Sequence, residues 1–105
     1  QSNEFKLLLK EHQVLLIGKL SNVFADYLKC YLGISPAGSI TIDHYDQIIQ
    51  IEKMIQNISF DIALLSAGSN AVILAPFIAS YNKVALDIGR AMNPRLWPKS
   101  AASSE

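Results

Sequence analysis

Apolar residues recur along the chain in two patterns, short unbroken runs and longer stretches at helical spacing. Residues 4–11 put Phe5, Leu8 and Leu9 on one face, which predicts a short helix. Val14-Leu15-Leu16-Ile17 is unbroken up to Gly18, as expected of a strand buried on both faces of a parallel sheet. From Ser21 or Asn22, either of which suits an N-cap, Val23, Phe24, Tyr27, Leu28, Tyr31 and Leu32 form one helical stripe. Gly33 fits the left-handed stop after it.

Residues 34–38, with Pro36 among them, read as a loop, and Ser39-Ile40-Thr41-Ile42 as a short strand. A helix is expected after Asp43, with Asp46 in its first turn and Tyr45, Ile48, Ile49, Ile51, Met54, Ile55 and Ile58 as its apolar positions. Residues 60–65 form the third strand, which ends at Ser66-Ala67-Gly68. Ser69 or Asn70 opens a helix through Tyr81, where Pro76 predicts a kink or a late start and Asn82 a stop. Residues 84–88 are the fourth strand, ending at Gly89. Beyond Arg90, Pro94, Trp97 and Pro98 mark irregular chain.

A helix, three strand–helix units and a closing strand predict right-handed βαβ crossovers. The fold class is α/β: a small three-layer Rossmann-like domain, a four-stranded parallel sheet with helices on both faces. The domain is expected over residues 1–93, with an irregular tail over 94–105.

Composition narrows the function classes. With 50% hydrophobic and 17% charged residues, the chain buries a core rather than staying disordered. Nine Lys+Arg cancel nine Asp+Glu, so the basic surplus that nucleic acid or an anionic membrane would attract is missing. The single Cys30 excludes an internal disulfide and a cysteine zinc site. Residues 62–82 carry no charge, but Ser66, Gly68, Ser69 and Asn70 interrupt them, so strand, turn and buried helix are expected there rather than a membrane span. A cytoplasmic setting is expected. The first residue is not Met and the tail is rich in Ser and Ala, which suggests a piece of a longer protein.

In an open parallel sheet the ligand crevice lies beyond the carboxyl ends of the strands. That rule selects Gly18, Lys19, Ser21 and Asn22 after the first strand and Asp43 and His44 after the second. It selects Ser66, Gly68, Ser69 and Asn70 after the third, and Asp87, Gly89 and Arg90 after the fourth. The third loop lets backbone approach a ligand closely and offers N–H groups to an anion. A plain tight turn with a capping asparagine explains the same residues. Asp87 could hold a sugar hydroxyl and Arg90 a phosphate, or the two could serve an ion pair or a turn cap. Lys19 reads as a solvated lysine before a phosphate ligand.

The other candidates are weaker. Asp43, His44 and Asp46 are the one tight polar cluster, but cap and first-turn roles suit both aspartates, so no metal site is expected. His12 reads as a surface residue. Cys30 has no His near it in sequence and is not read as a nucleophile. Trp97 could cover a base or a sugar ring, or pack the tail onto the body. No GxGxxG and no Walker A motif occurs, so neither a dinucleotide site nor a P-loop is claimed.

Residues 60–93, FDIALLSAGSNAVILAPFIASYNKVALDIGRAMN, resemble the C-terminal half of bacterial GT-D-fold glycosyltransferases and their uncharacterised relatives. Those proteins carry a strand, a small-residue "GAG" or "LGP" turn, an Ala/Leu-rich helix and a strand ending "AIDIG". Ser66-Ala67-Gly68 stands at that turn and Ala85-Leu86-Asp87-Ile88-Gly89 at the closing strand, while residues 14–17 resemble the earlier "VLIIGP"-like strand. The resemblance implies transfer of a sugar from a nucleotide-sugar with a divalent cation. That family's metal-binding Asp-x-Glu lies in an N-terminal half; no Asp-x-Glu or Asp-x-Asp occurs here, and Arg90 replaces the His that often follows "DIG".

The resulting expectation is a domain contributing part of a nucleotide-sugar or glycan crevice through Gly18, Ser66, Gly68, Ser69, Asn70, Asp87, Gly89 and Arg90. It is not expected to be catalytic alone or to hold a cofactor of its own. The alternative is a non-catalytic assembly domain whose apolar helices meet a missing N-terminal domain or a homodimer partner.

Overall fold

The computed structural model describes residues 2–43 and 48–97. Four strands, β1 (Val14–Gly18), β2 (Gly38–Thr41), β3 (Ile62–Ser66) and β4 (Val84–Asp87), form one sheet in the order β2-β1-β3-β4. All three pairings are parallel. The helices are α1 (Ser2–Glu11), α2 (Ser21–Leu32), α3 (Ile48–Gln56) and α4 (Ala71–Ala79). The expected α/β architecture is the one found.

The two central strands organise the packing. Every residue of β1 is buried, as are Ile62, Ala63, Leu64 and Leu65 of β3. Alternate side chains go to opposite faces. Leu15, Ile17, Ala63 and Leu65 join Ile51 and Ile55 of α3 and Leu74 and Ile78 of α4 on one side. Val14, Leu16, Ile62 and Leu64 join Leu9 of α1, Phe24 and Leu28 of α2, and Met92 on the other. The sheet therefore has helices on both faces, and burying each large apolar side chain contributes roughly 1.5–3 kcal/mol.

Element boundaries depart from the sequence expectation where a tertiary contact competes with a local signal. Neither Ser21 nor Asn22 caps α2; the N-cap is Leu20, with no side-chain bond. Ser21 is buried with its Oγ 3.2 Å from Thr41 Oγ1, and Asn22 Oδ1 accepts from Ser39 Oγ at 2.7 Å, so both tie α2 to the β2 strand. At the other end of the helix, Gly33 takes the expected left-handed conformation, with φ 65°. β2 and β3 are each displaced from the residues expected, because pairing with β1 decides which residues count as strand.

A 3-10 turn, Gly68–Asn70, precedes α4, which itself begins at Ala71 and runs unbroken past Pro76. Pro76 is exposed, so water can serve the carbonyl its missing N–H leaves without a donor. Asn82 provides the expected stop, with φ 62°. The expected first turn of the helix after Asp43, including His44, Tyr45 and Asp46, lies outside the described residues.

Residues after β4 return to the body. Trp97 stacks on Tyr27 with ring centroids 4.5 Å apart, and its Nε1 donates to Ala91 O at 3.0 Å. Burial, and secondarily the neighbouring Tyr31 at 5.3 Å, push the Tyr27 phenol above its ordinary value. The folded state thus favours the protonated phenol. The linked stability is whole below about pH 10 and declines as pH rises from there to the raised folded value. Denaturant titrations at stepped alkaline pH should show this decline, and Tyr27→Phe should remove it.

Gly18 is required by packing. A Cβ there would lie 2.6 Å from the Ser66 carbonyl oxygen, closer than any real contact, and the obstacle is backbone. Gly18→Ala is expected to cost about 1–3 kcal/mol in denaturant-unfolding stability through overpacking. Unchanged stability would mean that β1 and β3 can separate at this end without cost.

Candidate functional site

The strand order changes direction between β1 and β3, because the chain runs outward to β2 on one side and to β4 on the other. At such a switch point the two loops leave the sheet on opposite faces and open a crevice between them. A cavity of about 320 Å³ occupies that place, lined by Lys19 after β1, Ile42 and Asp43 after β2, and Ser66, Ala67, Gly68, Ser69 and Asn70 after β3. The expected ligand residues of the third loop therefore share one hollow.

Gly68 has φ 58°, a left-handed conformation that side chains disfavour, and it starts the 3-10 turn there. Asn70 N–H donates to Ala67 O at 3.1 Å, and Ala71 N–H is committed to the carbonyls of Gly68 and Ser69. The backbone donors this loop offers a ligand are accordingly those of Gly68 and Ser69. Asn70 lies on the cavity wall without capping α4 through its side chain. Gly18 lies beneath the crevice rather than on its lining, where its carbonyl accepts Ile42 N–H at 3.2 Å.

Asp87, Gly89 and Arg90 are placed at the neighbouring strand end and do not line this cavity. Asp87 Oδ1 accepts Gly89 N–H at 3.0 Å, and Gly89 has φ 61°. The two strand ends are joined by the backbone bond from Ile88 N–H to Leu65 O at 2.8 Å and by a side-chain bond, Ser66 Oγ donating to Gly89 O at 2.6 Å. Sequence reasoning weighed Lys19 as a solvated residue; it is exposed, and it also lines the crevice. Asp43, considered for a cap or a metal, sits on the same lining.

A family model for the GT-D fold-like domain matches residues 1–94. The chain belongs to this family. The GT-D-like assignment agrees with the resemblance, which runs over roughly residues 4–93 and is specific in the last third of the sequence. No curated protein and no solved structure matches it.

The divalent cation associated with GT-D glycosyltransferases finds no fitting donor set among the described residues. No three His, Cys, Asp or Glu side chains converge there, and among the described residues Asp43 is the one carboxylate on the crevice lining. Hard divalent cations take several oxygen ligands. His44 and Asp46 lie outside the described residues. No helix among the described residues is long and apolar enough to cross a membrane, and residues 62–82 form the expected strand, turn and helix.

A second hollow of about 340 Å³ lies along the outer face of α2, between Tyr27, Tyr31, Asp26 and Trp97. Its rings are largely engaged with one another, which fits the packing of Trp97 onto the body.

Ser66→Ala removes the side-chain bond that links the two strand ends. It should cost about 0.5–1.5 kcal/mol in unfolding free energy and increase amide exchange at Gly89 and Arg90. Unaltered exchange there would show that the Asp87–Gly89 turn holds its place without Ser66.

Proposed function

We propose that this GT-D-like domain binds a nucleotide-sugar, or the sugar of a glycan, in the crevice at the β1/β3 switch point. The observation that carries this reading is the convergence of Lys19 and the Gly68–Ser69 donors on one cavity at the strand ends. A diphosphate suits the side of the hollow where a cationic side chain and two uncommitted amides meet. Asp43 on the same lining suits a hydroxyl, which donates to a carboxylate that would repel phosphate. The anionic and glycosyl ends of one ligand would then lie in a fixed order across the crevice.

Asp87 and Arg90 form a second rim. In this reading the guanidinium pairs with phosphate and the carboxylate orients a hydroxyl at the edge of the site, while Ser66 holds that rim to the first. The chemical contribution is electrostatic: fixed dipoles and a cation neutralise the charge of a bound diphosphate. Binding is assigned to this chain, and transfer is not. The Asp-x-Glu motif is missing, and the described residues supply no site for the metal that motif would hold.

Amide chemical shifts of the chain, titrated with a nucleoside diphosphate and with nucleotide-sugars, test the proposal. The expected result is saturable shifts at Gly68 and Ser69, and an affinity about tenfold weaker in Lys19→Ala, the loss of one charge-assisted contact. Silence at Gly68, Ser69 and Lys19 under saturating ligand would overturn it.

A further inference from the structure

β4 ends the sheet, with β3 as its one neighbour among the described residues. Val84 N–H donates to Asp61 O at 3.0 Å and Ile88 N–H to Leu65 O at 2.8 Å. Alternation along the strand therefore turns the peptide groups of Ala85 and Asp87, and the carbonyl of Lys83, toward the open edge. An uncovered edge is a template for pairing with another strand.

Side chains sort just as clearly. Ala85 packs on the core beneath α4, and the Lys83 ammonium lies 5.5 Å from the centre of the Phe60 ring in that same core. Val84 and Leu86 point to the opposite face, where they are 50% and 39% exposed. The edge thus combines unused backbone groups, two exposed apolar side chains, and a strand with Lys83 just before it and Asp87 at its end.

We propose that β4 pairs antiparallel with β4 of a second copy of this chain, about a twofold axis at Ala85, joining two sheets into one. Antiparallel pairing about that axis sets Ala85 opposite Ala85, Val84 opposite Leu86, and Lys83 opposite Asp87. Opposed residues point to the same face, so lysine meets aspartate and apolar meets apolar. The groups facing the edge are those this register uses: Ala85 N–H reaches the Ala85 carbonyl of the second copy, and Asp87 N–H reaches its Lys83 carbonyl. Moving the twofold axis by one residue either way separates the opposite charges, and moving it by two sets Lys83 against Lys83 or Asp87 against Asp87.

A strand pair of this length falls short of the roughly 800 Å² per partner that stable interfaces bury. The adjoining α4 supplies further apolar surface. It carries no charged residue, lies against β4, and exposes Val72 at 76% and Ile73 at 52%. A closed, isologous contact uses the same patch twice, which suits a surface whose few charges complement themselves.

Light scattering over a concentration series tests the proposal with the chain as it stands and needs no ligand, so its outcome is independent of the crevice reading. The expected mass is twice the 11.6 kDa of one chain, with Ala85 and Asp87 amide exchange slowing as the dimer forms. Leu86→Lys, a charge on an exposed edge position, should give a folded monomer. Lys83→Glu should also weaken the dimer, and Lys83→Glu with Asp87→Lys should restore it. A monomer at every concentration, with those two amides exchanging freely, would overturn the proposal and leave the edge to a different chain. A dimer that survives both Leu86→Lys and Lys83→Glu would overturn it as well, as would a charge-swapped pair that stays monomeric.

Discussion

The closeness of β1 and β3 governs the rest of this structure. Gly18 and Ser66 are paired in register at the carboxyl ends of these strands, and no side chain fits between them. The strands themselves are apolar on both faces, so the sheet is stable only with helices on both sides. Those helices require crossovers, and crossovers that leave in opposite directions create the crevice. Removing the contact at Gly18 would widen the floor on which the candidate site stands.

From that floor the site is built outward by backbone more than by side chains. Gly68 bends the chain into a short 3-10 turn, and Asn70 and Ala71 spend their amides inside it. The crevice is lined by a small set of polar groups, among them the Gly68–Ser69 backbone, a lysine from the β1 loop and a carboxylate from the β2 end. Ser66 reaches across to Gly89 and ties the neighbouring β4 end to the crevice wall. In the proposed function this arrangement holds a charged sugar donor, and the described residues of the GT-D-like domain bring together no donor set for a divalent cation.

At the sheet's far side the constraint is reversed. β4 carries exposed residues at three of its four positions, and its outward peptide groups find no strand among the described residues. The apolar character of α4, which left no charge between residues 62 and 82, is half explained by the core beneath it. In the proposed dimer a second copy covers the outward half, and apolar surface at a free edge is stable once covered.

Much of the fold was legible in the sequence because burial on both faces leaves a simple trace. Unbroken runs such as Leu15-Leu16-Ile17 and Ile62-Ala63-Leu64-Leu65 suit central strands between helices, and the stripes of α2 and α3 include the residues that go inward, Phe24, Leu28, Ile51 and Ile55. Val23, Tyr31, Ile49 and Met54 of the same stripes are exposed, because each helix meets the sheet along a narrower strip. Gly33 and Asn82 announced their stops through local backbone preference, which needs no partner. The tertiary structure alone decided what the polar residues do. Ser21 and Asn22 look like caps in isolation, yet bonds to Thr41 and Ser39 claim them. Lys19 looks solvated until the turn at Gly68 is set beside it, and Asp87 stands at a strand end without reaching the cavity there. Apolar periodicity is a property of one element and its water exposure, so it can be read along the chain. A polar group's role depends on which distant atom lies within about 3 Å of it, and that distance exists only after the sheet has assembled.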